Sequence, residues 1–246
     1  RALSFLQDGI DIIDVGGEST RPGSAPIDAQ TELARVLPVI RGLRQVTDAP
    51  ISIDTYKASV AAQALDAGAD LVNDVWALQM DPELARLVAE RSVPIILMHN
   101  RSKPKNAAQQ ERLGGRYVGV HYDDLMADVI RDLRQQVEHA TETGISRARI
   151  IIDPGIGFGK TVEQNLHLLN HLDELRVLGL PILVGPSRKS FIGYTLDLPP
   201  QERQEGTAAA VALSIARGAH MAPVDHARTM VRVARMSDAI LRAGRA

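Results

Sequence analysis

Seven times along this chain a short apolar run gives way to a segment with helical spacing, and nearly every run ends on or beside a polar side chain. The clearest instance is IIIDPGIGFGK, residues 150–160, where the run closes on Asp153 and a glycine-rich turn follows at once. An apolar run without alternation is the pattern of a strand buried on both faces of a parallel sheet. A carboxylate at the C-terminal end of such a strand stands where α/β sheets and barrels place their sites. Strand and helix in strict alternation imply right-handed βαβ units.

Strands are predicted at residues 10–15, 51–54, 70–74, 94–98, 149–153, 181–185 and 219–224, with one helix in each gap. Residues 26–46 read as a helix kinked at Pro38. Asp81 and Pro82 read as the cap and first turn of another. A long polar segment, residues 100–116, breaks the rhythm, and loops of that length are commonly functional. The opening RALSFLQDG has helical spacing and closes on Gly9. The expectation is therefore an α/β fold, a (β/α)8 TIM barrel whose first strand would precede Arg1 and is lacking here. A doubly wound open sheet is the competing fold. No linker or composition shift divides the chain, so residues 1–246 are expected to form a single domain.

Composition narrows the function classes. A net charge of −2 gives no support to nucleic-acid or polybasic membrane binding. The absence of cysteine excludes disulfides and thiolate-held metals. No apolar run reaches the ~18 residues of a membrane span and no signal peptide is visible, so a cytoplasmic protein is expected. Aromatics are only 3% of residues, which leaves the core to aliphatic side chains.

The predicted strand ends collect Glu18 to Arg21, Asp54, Asn73, Met98, His99, Asp153 and Lys189. Any one of these reads as a helix cap. Together, from separate strands, they read as a ligand site, and Asp54, Asn73 and Asp153 suit a ligand with adjacent ring N–H and amino donors. Gly157 to Thr161, GFGKT, imitates a phosphate-binding P-loop, but Pro154 stands where that motif needs its first glycine. A tight turn that brings backbone and Phe158 against a flat ligand is the reading that remains. Ser187-Arg188-Lys189-Ser190 offers two cations and two hydroxyls for an anion, or an ordinary solvated turn. Thr20 and Arg21 make the same kind of offer. His121, His139, His167 and His171 lack metal-ligand spacing, and His99 reads as structural. Trp76 reads equally as core or pocket wall.

GGESTRPGS, ISIDTYK, NDV, LMH, DPGIGFGKT and SRKSFIG, in this order and spacing, closely resemble the dihydropteroate synthase family over residues 9–218. The resemblance implies a TIM barrel, a homodimer, and a transferase of folate biosynthesis that joins 4-aminobenzoate to a pterin methyl diphosphate and releases diphosphate. It implies that Asp54, Asn73 and Asp153 hold the pterin and that Lys189 orients it. Val75, Met98 and Phe158 would form apolar walls. Thr20 and Arg21 would help bind diphosphate and shape the aminobenzoate pocket, and Ser190 would face the aminobenzoate carboxylate. Sulfonamides are implied as inhibitors. Magnesium is implied too, with its family ligand, an asparagine, upstream of Arg1 and no metal ligand within the chain. Two positions depart from the pattern. Pro223 stands where the family has Arg, and Asp225 where it has His. Both changes disfavour a departing diphosphate, although His226 and Arg228 stand nearby. A pterin-binding paralogue with weak or no synthase activity, and a pterin-dependent methyltransferase domain, are the alternatives.

Overall fold

The computed structural model describes residues 2–243. Strands β1 (Ile13–Gly16), β2 (Ile51–Asp54), β3 (Leu71–Asp74), β4 (Ile95–Met98) and β7 (Ile150–Asp153) form one parallel sheet in that order. Two short strands, β5 (Ala107–Ala108) and β6 (Arg116–Tyr117), pair antiparallel inside the long polar segment. Parallel contacts of Ile152 with Ile182 and of Leu183 with Met221 carry the sheet onward. The result is an α/β barrel wall of seven parallel segments in sequence order.

The segments at 181–185 and 219–224 contribute only those single pairings, less than the strands predicted there. Pro181, Pro186 and Pro223 bound or interrupt them, and proline has no N–H to give a ladder. The helices match the gaps with one exception. α1 (Ala2–Gln7) opens the described chain. α2 (Ala29–Arg44), α3 (Ala58–Asp66), α4 (Pro82–Arg91), α5 (Leu125–Glu142) and α6 (Val162–Asn170) each fill one gap. Between the last two segments lie two helices, α7 (Ser190–Leu196) and α8 (Gln204–Ala216), and α9 (Ala227–Arg242) follows the last. Pro38 sits inside an unbroken α2.

Local signals set the helix starts. Asp28, Asp81 and Asp124 accept backbone N–H bonds at the heads of α2, α4 and α5. At α6, Thr161 and Gln164 cap one another reciprocally, so the threonine of GFGKT is a helix cap. Ile51, Ile53, Val72, Ile95, Leu97, Ile150 and Ile152 are buried in one apolar cluster with the inner faces of the helices. Each contributes roughly 1.5–3 kcal/mol of burial. This layer holds the strand ends in fixed register, which is what a site at the barrel mouth requires.

One ionic knot fixes the first loop to that frame. Lys57 Nζ lies 2.6 Å from Glu18 Oε2 and 2.5 Å from Glu32 Oε2. Tyr56 donates its hydroxyl hydrogen to Glu18, and Ile27 N donates to the same carboxylate. Glu32 is fully buried. Removing Lys57 leaves a buried carboxylate unpaired, so Lys57→Met is expected to cost about 3–5 kcal/mol in denaturant unfolding. A loss below about 1 kcal/mol, the range of an exposed pair, would show that the knot contributes little to the fold.

Candidate active site

The register places the predicted residues at one rim. Asp54 pairs with Asn73 across β2 and β3, and Met98 pairs with Asp153 across β4 and β7. Val75, Met98 and Phe158 pack into a small apolar cluster of their own, with half-buried Trp76 against it. Lys189 enters from the loop before α7, its Nζ 4.2 Å from the centroid of the Phe158 ring. That approach needs Gly157, whose added Cβ would meet Lys189 Cδ at 3.0 Å. The glycine-rich turn thus makes room for Lys189.

Asp153 is buried, and its Oδ1 accepts the Gly155 N–H at 2.7 Å. Burial pushes its carboxyl up to about 6, against the Gly155 bond and the charges of Lys189 and Lys160. Loss of water around Asp54, together with the charge of Asp14, drives that carboxyl well above the ordinary range, with Lys189 opposing. Burial pulls Lys189 down, and Asp153 and Asp54 resist. Carboxylates poised in this way around one ammonium and an aromatic wall are matched to a flat ligand rich in donors.

Three residues near the rim carry no local sequence signal. Asp14, inside β1, comes within 3.4 Å of Asn73 Nδ2. It sits one residue before the end of an apolar run, so no strand-end rule selects it. Lys160, the lysine of the rejected P-loop, is buried and donates to His99 Nδ1 and to the carbonyls of Gly155 and Phe158. Arg203 is buried and donates to the carbonyls of Arg188, Leu198 and Leu113, joining three loops. A lone basic residue does not announce such a role.

The side chains at 187–190 go to different partners. Arg188 takes a left-handed backbone and gives its Nε to the Pro200 carbonyl, away from the rim. Ser187 Oγ is 3.1 Å from Asp225 Oδ2. Lys189 is the cation of this loop that remains at the mouth, and Ser190 heads α7. Arg21 lies on an exposed loop but close enough to depress Lys189. Thr20 is half-buried on the same loop. Of the two basic residues near the last strand, Arg228 pairs with Asp8 at 3.1 Å, and His226 stands at the head of α9. His99 is buried, and its Nε2 meets Asp132 Oδ2 at 3.2 Å. Among the described residues no three His, Asp or Glu side chains converge to hold a metal. No cluster of that size is offered to the magnesium implied by resemblance. No helix among the described residues is long and apolar enough to cross a membrane.

Fold and rim together are those of an α/β-barrel enzyme with its candidate site at the C-terminal ends of the strands. The sequence model of the pterin binding enzymes matches residues 1–225. The dihydropteroate synthase of Bacillus subtilis (strain 168) is 45% identical over 99% of this chain and 80% of its own. A crystal structure of Yersinia pestis dihydropteroate synthase with a sulfonamide drug complex superposes with a TM-score of 0.91, at 39% identity over 98% of this chain and 84% of that one. The Xanthomonas albilineans enzyme with 4-aminobenzoic acid gives a TM-score of 0.88 at 39% identity, over 98% and 82%. The chain belongs to the dihydropteroate synthase family of pterin binding enzymes, transferases of folate biosynthesis.

Proposed function

We propose that this chain, as a single barrel domain over residues 1–246, condenses a pterin methyl diphosphate with 4-aminobenzoate at the rim just described. Asp153, Asp54 and Asn73 accept and donate to the pterin ring and amino group. Lys189 orients the ring, with Val75, Met98 and Phe158 as walls. Thr20 and Arg21 face the diphosphate side, and Ser190 the aminobenzoate carboxylate. The observation that carries the reading is Asp153, a buried carboxylate at a strand end whose Oδ1 accepts the Gly155 N–H. A charge kept there calls for a donor-rich partner.

In the proposed step the exocyclic C–O bond breaks and diphosphate leaves with the electron pair. The amine lone pair then forms the C–N bond, and the proton lost from nitrogen goes to solvent. The cation forming at the methylene carbon is stabilised by the carboxylates of Asp153 and Asp54. The arylamine is already neutral at pH 7, so no strong base is needed. Sulfonamides, as in the Yersinia pestis complex, would compete for the aminobenzoate pocket. A cytoplasmic homodimer completes the reading, and exposed Leu213, Met236 and Ile240 on α8 and α9 support its dimeric part. Sedimentation equilibrium tests the dimer, and a monomer at micromolar concentration would contradict it.

The pH dependence of pterin binding tests the role of Asp153. Its folded pKa of about 6 stands above the ordinary value of 3.8, so the empty protein loses stability as pH rises between the two. Donor groups of the ligand favour the ionised form. Affinity for 6-hydroxymethylpterin is therefore expected to weaken below about pH 6, approaching tenfold per pH unit, in calorimetric titrations. Affinity that stays level down to about pH 4.5, well into the protonated range, would remove Asp153 from the pterin contacts.

A further inference from the structure

Lys160 is a charge hidden in the wall of the barrel mouth, and its surroundings account for each of its protons. Its Nζ lies 3.0 Å from His99 Nδ1, 3.0 Å from the Gly155 carbonyl and 3.1 Å from the Phe158 carbonyl. Three acceptors match the three N–H groups of an ammonium. The histidine tautomer follows from its far side. Burial opposes ionisation of Asp132, but hydrogen bonds from His99 and Arg101 prevail and hold its carboxyl well below the usual range. A carboxylate there accepts, so His99 Nε2 carries the proton and Nδ1 presents its lone pair to Lys160. Burial and the nearby ammonium keep the ring neutral, with its pKa down to about 4.

The two carbonyls held by Lys160 belong to the turn that builds the site. Gly155 gives its N–H to Asp153, and Phe158 supplies the ring beneath Lys189. Phe158 N also donates to the Gly155 carbonyl at 3.1 Å, which closes the turn. Lys160 thus grips from behind the same peptide units that aim Asp153 and Phe158 at the mouth.

We propose that Lys160, as an ammonium pinned by His99, is the positioning residue of the pterin site, holding the 155–158 turn so that Asp153 and Phe158 face the ligand. This rests on the pterin reading above and deepens it. Loss of the Lys160 proton removes one of its three bonds and weakens the pterin site. The groups that tune this proton are His99 from the end of β4, Arg101 from the loop beyond it, Asp132 from α5 and Asp153 from β7. Burial pulls Lys160 down to about 7, while Asp153 and Asp132 hold it up and Arg101 opposes. Pterin affinity is then expected to have an alkaline limb as well as the acidic limb of Asp153.

The experiment is calorimetric titration of the full chain with 6-hydroxymethylpterin from about pH 5 to about pH 9, a range spanning both limbs. It compares the unaltered protein with Lys160→Met and Asp132→Asn. Lys160→Met is expected to bind roughly tenfold or more weakly at about pH 6.5 and to lack the protein's alkaline limb. Any limb due to the ligand's own ionisation persists in it and is subtracted by comparison. Asp132→Asn removes a charge that supports the ammonium without touching the turn, so its alkaline limb moves to lower pH. Asp132 stands partly in solvent, so this variant keeps the test open if Lys160→Met does not fold. Equal affinity and equal limbs in Lys160→Met, or an unmoved limb in Asp132→Asn, would overturn the proposal. Failure of the unaltered protein to bind the pterin at any pH would instead overturn the reading on which it rests.

Discussion

Asp153→Asn is expected to lower kcat/KM for the pterin diphosphate about a thousandfold while leaving the fold in place. The substitution keeps the shape and the acceptor for Gly155 N. It removes the negative charge and turns one acceptor into a donor facing the ligand's own donors. Breaking a buried charge-assisted contact costs roughly 2–5 kcal/mol, and each 1.36 kcal/mol is about a factor of ten in rate. In the proposed step the charge also stabilises the developing methylene cation, so the loss is expected in kcat as well as KM. Burial holds the native carboxyl at about 6, and an uncharged amide in its place removes that strain, so melting at about pH 7 is expected to rise or hold level. Steady-state kinetics alongside thermal unfolding separates the two effects. A loss below about tenfold, or 1.4 kcal/mol, would place the pterin elsewhere.

Gly155→Ala is expected to have the largest effect on the site through the backbone alone. Gly155 has φ of +72°, a region costly for an L side chain. An added Cβ would also stand 1.9 Å from the His99 carbonyl oxygen. That atom is backbone at the end of β4, so no rotamer change relieves the contact. Either the turn or the strand end must move, and both carry site residues. A stability loss of roughly 3–5 kcal/mol, with pterin binding abolished, is the expected outcome of denaturant unfolding and calorimetry. Near-normal pterin affinity in Gly155→Ala would mean that the 155–158 turn does not shape the site.

The barrel wall was legible because its strands are short runs of Ile, Val and Leu, and burial on both faces leaves no alternative pattern. β2 was placed to the residue, and β3, β4 and β7 to within one. Apolar content alone overstates the last two strands, because it cannot weigh their prolines against ladder bonds. α7 carries no helical signal, because SFIGYTL holds a glycine and β-formers and tertiary packing of Phe191 and Ile192 decides its helix. The rim was legible where a polar residue ends an apolar run, as at Asp54, Asn73 and Asp153. Asp14 lies within its run, and Lys160 and Arg203 act through carbonyls of distant loops, which no local pattern announces. The glycines of DPGIGFG read from sequence as a tight turn for ligand approach, and in the fold Gly155 and Gly157 also make room for His99 and Lys189.

At the last strand, Asp225 stands near the mouth, bonded through Ser187 and close enough to raise Lys189. A carboxylate there opposes a leaving diphosphate, and Pro223 offers no cation in compensation. The most direct test of the proposed condensation is release of diphosphate from the pterin diphosphate with 4-aminobenzoate and magnesium, by the unaltered chain and by a Pro223→Arg, Asp225→His variant. Diphosphate and dihydropteroate are expected in equal amounts from both proteins, faster from the variant. Diphosphate release without incorporation of 4-aminobenzoate, or no release by either protein, would contradict the condensation at this rim.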